Sequence, residues 1–250
     1  MALERFLARL SSSDLKKKFI FKGGLLLSYY LELGRETKDI DFLATNVEAN
    51  EETIKQKLLE IADTQVDDGF EFLFGKIDQL DQTHMNYPGY RIKLNVTFGS
   101  IKDIVQLDIG MGDVVSPLEI SLDPIMYKKS LLFGGEISLN VYPVNTIFAE
   151  KLETLVYRGT ANSRMKDYHD LWMLCQSSLI DKNQLKADIE STFNHRETKL
   201  SFPISYEDQE TQKLQALWAN HLKINDSHGL PKKIDDVVSL INNTINDLFK

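Results

Sequence analysis

Residues 21–44 read FKGGLLLSYYLELGRETKDIDFLA, and we take the rest of the chain to be organised around them. The glycine pair Gly23-Gly24 stands at the start of an apolar run. That run predicts a helix over residues 25 to about 33, and Gly34 occupies the place where a left-handed helix C-cap is most common. A short strand is predicted to follow, so the stretch combines a glycine turn, a helix and a strand.

Two carboxylates lie on that predicted strand. In the run Asp-Ile-Asp-Phe at residues 39–42, successive side chains point to opposite faces, so Asp39 and Asp41 share one face. Carboxylate oxygens of this kind suit Mg²⁺, which completes its coordination with waters and substrate phosphates. Gly23 and Gly24 complement such a site, because glycine lets a phosphate approach the backbone and a helix start presents unpaired N–H groups.

A third carboxylate is predicted on a later strand, residues 104–109. The apolar residues of this strand alternate onto the face that turns to the core, which leaves Asp108 on the opposite face. Asp39 and Asp41 likewise lie opposite the core on their own strand. We therefore expect Asp108 to join the first two acids. Asp103 and Asp113 lie near the predicted strand ends and are weaker candidates, and a plain surface position for Asp108 is the alternative interpretation.

The composition limits the classes of protein to which the chain can belong. With 250 residues, 42% hydrophobic and 26% charged, it is typical of a globular protein with one large domain or two small ones. The net charge of −8 argues against a protein that coats nucleic acid non-specifically. Local basic segments at residues 16–18, 128–129 and 158–166 could still line a groove, although such segments are more often solvated faces.

Two further classes are disfavoured by the sequence. No apolar run approaches the roughly 20 residues that cross a bilayer, and no signal-peptide pattern opens the chain, so we expect a cytoplasmic protein without membrane contact. Cys175 is the only cysteine, which excludes an intramolecular disulfide and a cysteine-rich metal site.

The predicted elements divide the chain into two domains. Residues 1–144 mix helices and strands, whereas residues 145–250 keep a helical period for most of their length. In the first domain we predict helices over 2–18 and 50–62, strands over 70–77, 90–98 and 104–109, a turn at 86–89, and a hairpin over 130–142 around Gly134-Gly135. In the second we predict helices over 146–157, from about 165, over 184–193, over 209–222 and over 234–248. The fold class is therefore α+β (α/β), a mixed β-sheet with flanking helices, followed by a C-terminal helical domain that completes a cleft.

Lys151 lies on the flank of the apolar stripe of the helix over 146–157. A lysine in this place either extends to water or points into a cleft, and the helix by itself favours the first. After this helix, a polar loop over 160–164 would bring Arg164 and Lys166 to the mouth of the cleft.

The next helix carries Asp167 and Asp170 near one face, and Asp170 could equally be a first-turn partner of the helix dipole. His169 has no second histidine or acid at metal-binding spacing in the sequence, so we expect it to be structural.

These motifs resemble those of the polymerase-β-like nucleotidyltransferases. More narrowly, the string Lys22-Gly23-Gly24 … Arg35-x-Thr37-x-Asp39-x-Asp41 is similar to that of the AbiEii-type nucleotidyltransferase toxins of bacterial toxin–antitoxin and phage-defence systems. Residues 150–153, 158–160 and 164–171 look like the third and fourth motifs of that family. The resemblance implies a nucleotidyltransferase-like mixed sheet, and it favours a cleft position for Lys151.

The resemblance also implies an Mg²⁺-dependent transfer of a nucleoside monophosphate from a nucleoside triphosphate to an acceptor. One Mg²⁺ would be held by Asp39 and Asp41, and a second would be bridged by this pair and Asp108. Two Mg²⁺ ions are therefore expected as cofactors.

The remaining residues have roles in the same chemistry, and the resemblance implies functional roles for Lys151 and Asp167. Gly23 and Gly24 would hold the β- and γ-phosphates, and Lys151 and Arg164 would supply positive charge to the nucleotide. Lys22, Arg35 and Lys166 are secondary candidates for phosphate contacts, and Thr37 would shape the turn before Asp39. Asp167 is expected to be needed for activity, through a supporting contact to Lys151 or Arg164.

The partners are less sharply defined. The acceptor could be RNA, such as the 3′ end of tRNA, or a protein, and a cognate antitoxin is expected. Two alternatives remain open: a kinase-like phosphotransferase that directs attack to the γ-phosphate, and a catalytically degenerate module that only binds nucleotide.

Overall fold

A computed structural model describes residues 1–80, 88–123, 125–161, 163–225 and 229–249. The chain forms two compact units. The first comprises Met1–Tyr30 and Thr37–Tyr142, and the second comprises Leu31–Glu36 and Pro143–Lys250. The first two residues of the turn predicted at 86–89 lie outside the described residues. Residue 162 of the polar loop predicted over 160–164 also lies outside them.

The first unit is built on a seven-stranded mixed sheet with the strand order β3-β4-β5-β2-β1-β9-β6. The strands β2 and β5 are parallel, as are β1 and β9, and the other neighbours are antiparallel. The sheet strands are β1 (Phe19–Lys22), β2 (Asp39–Ala44), β3 (Phe70–Leu80), β4 (Gly89–Phe98), β5 (Ile101–Met111), β6 (Leu118–Leu122) and β9 (Ile137–Val141). It is accompanied by the helices α1 (Ala2–Ser11), α2 (Gly23–Ser28) and α3 (Glu51–Ala62), and by a separate hairpin of β7 (Met126–Tyr127) and β8 (Ser130–Leu131).

Aromatic residues fill the core on one face of this sheet. The ring of Phe42 on β2 contacts those of Phe6, Phe19 and Phe21 at centroid distances of 6.4, 6.1 and 6.0 Å. All four side chains are fully buried, and each contributes about 1.5–3 kcal/mol of hydrophobic stabilisation. This burial fixes which face of β2 turns inward, and it leaves Asp39 and Asp41 on the opposite face.

The second unit is helical. Its described residues form the helices α4 (Val144–Arg158), α5 (Met165–Gln176), α6 (Lys182–His195), α7 (Asp208–Ile224) and α8 (Ile234–Asn246), with a 3₁₀ turn at Gly159–Ala161. The predicted helices of this part are thus confirmed, with ends that differ by a few residues. None of the described helices combines the length and the apolar character that a membrane span needs.

The helix after the glycine pair is shorter than predicted. It ends at Ser28, not near residue 33, because the chain leaves the first unit and Leu31–Glu36 packs with the second. Leu33 is buried there, so tertiary packing overrides the local helical period. Gly34 is left-handed, with φ +64°, but it does not cap a helix.

The predicted hairpin over residues 130–142 is wrong. β8 pairs with β7, and β9 pairs with β6 and β1, so Gly134-Gly135 does not join two paired strands. The ring of Phe133 packs edge-on against Phe70 and Phe98 at 5.7 and 6.3 Å. The alternating pattern therefore predicted strands correctly but not their partners, because long-range packing selects the pairing.

The N-terminal helix is also shorter than predicted, since α1 ends at Ser11 and not near residue 18. Ser13 follows it, where the hydroxyl donates to the Leu10 carbonyl and accepts from the Leu15 amide. A serine that bonds the backbone in this way competes with helix continuation. Nevertheless, the mixed α/β fold class predicted from the sequence is confirmed.

Candidate functional site

A row of five charged side chains crosses the sheet. In the strand register, Lys22 on β1 pairs with Asp41 on β2, Asp41 with Asp108 on β5, Asp108 with Arg91 on β4, and Arg91 with Asp78 on β3. Residues at paired positions on neighbouring strands share a face of the sheet. The five charges therefore lie side by side on one face.

Asp39 belongs to the adjacent row, where it pairs with Gln106 of β5. It lies two residues before Asp41 on the same strand and so on the same face. Asp39 and Asp41 are both partly buried. The structure thus brings the three sequence-predicted acids, Asp39, Asp41 and Asp108, together on two adjacent parallel strands.

Gly23 provides the space that Asp41 occupies. A Cβ atom built on Gly23 would lie 2.0 Å from Oδ2 and 2.5 Å from Cγ of Asp41. Gly23 also has φ +78°, a conformation that residues with a side chain rarely adopt. The glycine is therefore required both for its own backbone and for the position of the Asp41 carboxylate.

Replacing Gly23 by Ala is expected to reduce the nucleotide transfer that the sequence motifs predict by roughly a hundredfold, because a shift of about 1 Å takes a carboxylate out of its reactive position. Steady-state turnover measures the loss. Gly99→Ala is the matched control, since Gly99 has φ +58° but nothing within 4 Å of its would-be Cβ. Equal activity of the two variants would contradict the role given to Gly23.

Arg91 is a residue of this face that sequence reasoning missed. Its Nε and Nη2 donate to Oδ1 and Oδ2 of Asp108 at 2.8 and 2.6 Å. These hydrogen bonds raise the pKa of Arg91, and the charges of Asp108, Asp39 and Asp41 add to the rise while burial opposes it. The only sequence signal was its polar position between the apolar Tyr90 and Ile92 of a predicted strand.

Lys22 is engaged at the other end of the row. Its Nζ lies 3.1 Å from Oδ2 of Asp113, 3.3 Å from the Tyr142 hydroxyl and 4.6 Å from the centre of the Tyr142 ring. Asp113, a weaker candidate for the third acid, is thus the partner of a cation. The side chain of Lys22 is only 14% exposed. This burial limits the access of a phosphate to its ammonium group.

The donor set suits one divalent cation better than two. Asp39 and Asp41 offer carboxylate oxygens on one strand face, as Mg²⁺ prefers. Both oxygens of Asp108, however, accept hydrogen bonds from Arg91. Within the described part of the chain, no three His, Cys, Asp or Glu side chains are arranged to hold a metal ion.

The second unit contains a buried network of charged side chains. Nε and Nη2 of Arg35 donate to both oxygens of Asp170 at 2.7 and 2.6 Å. Nζ of Lys151 lies 2.8 Å from Oδ2 of Asp170 and 3.0 Å from Oδ1 of Asp167, and Nε of Arg164 lies 2.8 Å from Oδ2 of Asp167. Lys151 therefore points to two carboxylates and not to water.

These contacts stabilise the charged forms. Burial by itself would raise the pKa of Asp170, but Lys151 and Arg35 outweigh it and lower that pKa to about 2. Burial would likewise lower the pKa of Lys151, but Asp170 and Asp167 raise it. The alternative interpretation of Asp170 as a first-turn partner of the helix dipole is wrong, because α5 begins at Met165 and Asp170 lies beyond its first turn.

The other predicted residues are more accessible. Arg164 has 45% of its side chain exposed although it contacts Asp167, and Lys166 is exposed in the first turn of α5. Thr37 is partly buried just before β2. Arg164 and Lys166 are thus more accessible than the buried Lys151 of the same unit.

His169 has a partner that its sequence neighbourhood does not reveal. Its Nδ1 lies 2.9 Å from Nε2 of His221 on α7, and the ring of His221 stacks on Trp218 at 5.3 Å. Burial lowers the pKa of His169 to about 4, and the charges of His221 and Arg35 act in the same direction while Asp170 opposes them. His169 is therefore neutral in the folded protein at neutral pH.

A pH dependence of stability follows. The unfolded chain takes up a proton near pH 6.5 whereas buried His169 resists it down to about pH 4, so stability is expected to fall as the pH drops through this window. The contribution of His169 is about 2 kcal/mol between pH 7.5 and 5, and urea unfolding measures it. His169→Gln should remove this part of the pH dependence, whereas His195→Gln, an exposed histidine of α6, should not; identical profiles for both variants would contradict the assignment.

The fold is shared with solved structures of distantly related sequence. The crystal structure of JHP933 from Helicobacter pylori superimposes with a TM-score of 0.53 at 11% identity, covering 99% of this chain and 89% of that one. A second H. pylori protein, which carries a provisional nucleotidyltransferase name, gives a TM-score of 0.54 at 13% identity, covering 99% and 95%. At such identities the likeness shows the fold alone.

The family follows from the sequence. The family model described as "Nucleotidyl transferase AbiEii toxin, Type IV TA system" matches residues 5–239. The chain therefore belongs to the AbiEii nucleotidyltransferase toxin family, which confirms the resemblance seen in its motifs. No curated protein matches the chain.

Proposed function

We propose that this protein transfers a nucleoside monophosphate from a nucleoside triphosphate to an acceptor and acts as the toxin of a toxin–antitoxin pair. Membership of the AbiEii family supports a transferase. The observation that carries the finer proposal is the packing of the Asp41 carboxylate over Gly23, at a distance that only glycine permits. A glycine turn and a carboxylate pair thus meet within one stretch of chain.

In this proposal Asp39 and Asp41 hold one Mg²⁺. The bound ion would bridge phosphate oxygens and neutralise negative charge that develops during transfer. The backbone N–H groups at Gly23 and Gly24 would orient the leaving phosphates, because glycine has no side chain and a phosphate can therefore approach the backbone closely.

Residues of the helical unit have a separate role in the proposal. Lys151 is buried between Asp167 and Asp170, so its first task is to hold these carboxylates in place. Asp167 in turn holds the exposed side chain of Arg164. We propose that Arg164 and Lys166 supply positive charge to the nucleotide, and that Asp167 and Lys151 act on it through Arg164.

Labelling tests the proposal. The purified protein is incubated with each α-³²P-labelled nucleoside triphosphate, Mg²⁺ and either total RNA or a protein extract. Label in the RNA or protein pool, together with released pyrophosphate, is the expected result, and the labelled pool identifies the acceptor. Label transferred only from the γ-phosphate would instead establish the kinase-like alternative, and nucleotide binding without any transfer would establish the degenerate module.

A further inference from the structure

The Asp108 carboxylate makes a contact that competes with metal binding. It accepts two hydrogen bonds from Arg91 across the antiparallel pair of β4 and β5, where the two residues occupy paired positions. A bidentate guanidinium–carboxylate pair is stronger and more directional than a single ion contact. A metal ion bound through Asp108 would have to displace Arg91.

The charges around Asp108 also disfavour a second metal ion. Asp108 is balanced by Arg91, whose Nη2 lies 2.6 Å from its Oδ2. A second divalent ion at Asp108 would therefore face a neutral pair and a neighbouring guanidinium, which repels it.

Arg91 has donors to spare for a ligand. Its Nε and one hydrogen of Nη2 serve Asp108, and within the described residues its remaining N–H groups make no hydrogen bond. Its side chain is 38% exposed, against 19% for Asp108. A planar guanidinium with free N–H groups is well suited to phosphate oxygens.

We infer that Asp108 is a positioning residue that orients Arg91, and that Arg91 binds the triphosphate of the nucleotide in the place expected for a second metal ion. This inference rests on the proposed function, because it assigns a further substrate contact to the same sheet face. It replaces the expectation that Asp108 ligates Mg²⁺.

The metal part of the inference is tested with Mn²⁺ alone, by titration monitored by electron paramagnetic resonance. Asp41→Asn is the reference for loss of a ligand. Asp108→Asn is expected to keep the Mn²⁺ affinity of the unaltered protein within about twofold, because its oxygens do not ligate. A loss of Mn²⁺ binding equal to that of Asp41→Asn would overturn the inference.

The phosphate part is tested with inorganic tripolyphosphate, the portion that all four nucleoside triphosphates share, by calorimetry in the presence of Mg²⁺. Arg91→Gln is expected to weaken binding about tenfold, and Arg91→Lys to weaken it less. Lys102→Gln is the matched control, because Lys102 is an exposed cation on β5 about 20 Å along the strand from Asp108. Unchanged binding by Arg91→Gln would overturn the inference.

A double-variant comparison separates positioning from independent binding. If Asp108 acts through Arg91, the variant that combines Arg91→Gln with Asp108→Asn should bind tripolyphosphate no more weakly than Arg91→Gln alone. Additive losses would overturn the inference. Thermal unfolding of each variant checks that the fold is retained. If Asp108→Asn does not fold, the comparison of tripolyphosphate binding by Arg91→Lys and Arg91→Gln still tests the role of Arg91.

The two proposals fail in different ways. If the unaltered protein binds Mn²⁺ and tripolyphosphate as described but transfers no nucleotide, the proposed function fails. If it transfers nucleotide but Asp108→Asn loses Mn²⁺, the proposed function stands and the role of Asp108 given above fails.

Discussion

Asp41→Asn is expected to reduce nucleotide transfer by roughly a thousandfold or more, since the several kcal/mol of transition-state stabilisation from a bound Mg²⁺ correspond to at least this factor. The fold should survive, because Asp41 lies on the face of β2 opposite the aromatic core. Transfer of label from each nucleoside triphosphate measures the activity, and thermal unfolding measures the fold. Asp39→Asn should have an effect of the same order.

The matched control is Asp103→Asn. Asp103 is an exposed acid of β5 whose register partner is Val96 on the buried side of β4, so it lies off the acidic face. It should transfer nucleotide normally. Expression in a bacterial host should slow growth for the unaltered protein and for Asp103→Asn, but not for Asp41→Asn. Toxicity of the Asp41→Asn form would show that growth inhibition does not depend on transfer.

Asp170→Ala is expected to destabilise the helical unit by about 3–5 kcal/mol, because removal of one member of a buried ion pair leaves its partners unpaired in a poorly solvated place. Arg35 and Lys151 would both lose a carboxylate within 2.8 Å. Urea unfolding of the full chain measures the change. The pKa of Asp170, about 2, predicts that this stabilisation is present above about pH 4 and lost as the pH falls toward 2.

Asp188→Ala is the control for this loss. Asp188 lies partly exposed on α6 of the same unit, and a change of less than about 0.5 kcal/mol is expected for a residue of this kind. A change of similar size in the two variants would contradict a stabilising role for the network. Arg35 belongs to Leu31–Glu36, and the chain enters β2 at Asp39 shortly afterwards. Reduced transfer by Asp170→Ala at temperatures where it is folded would therefore indicate that the contact between Asp170 and Arg35 affects the start of β2.

Much of the architecture followed from local patterns. The alternation over residues 39–43 predicted a strand with both aspartates on one face, and the structure has that strand at Asp39–Ala44. The helical period after residue 145 predicted the helices of the second unit. Such features are local, since the period of a strand or helix is written in consecutive residues.

Errors arose where distant packing competes with local preference. The helix after Gly24 stops at Ser28 because Leu33 is buried with another unit, and the glycine pair at 134–135 joins no hairpin because β9 pairs with β1 and β6. Neither the receiving unit nor the strand partner is encoded near those residues.

The sequence by itself determined the mixed fold class, the family, and the shared face of Asp39 and Asp41. Only the tertiary structure decided the partners of the charged groups: Arg91 for Asp108, His221 for His169 and Arg35 for Asp170, which are 17, 52 and 135 residues apart. The physical reason is that side-chain periodicity states which way a residue points. Which charge it then meets depends on the order of strands and helices, and that order is set by burial of the whole core.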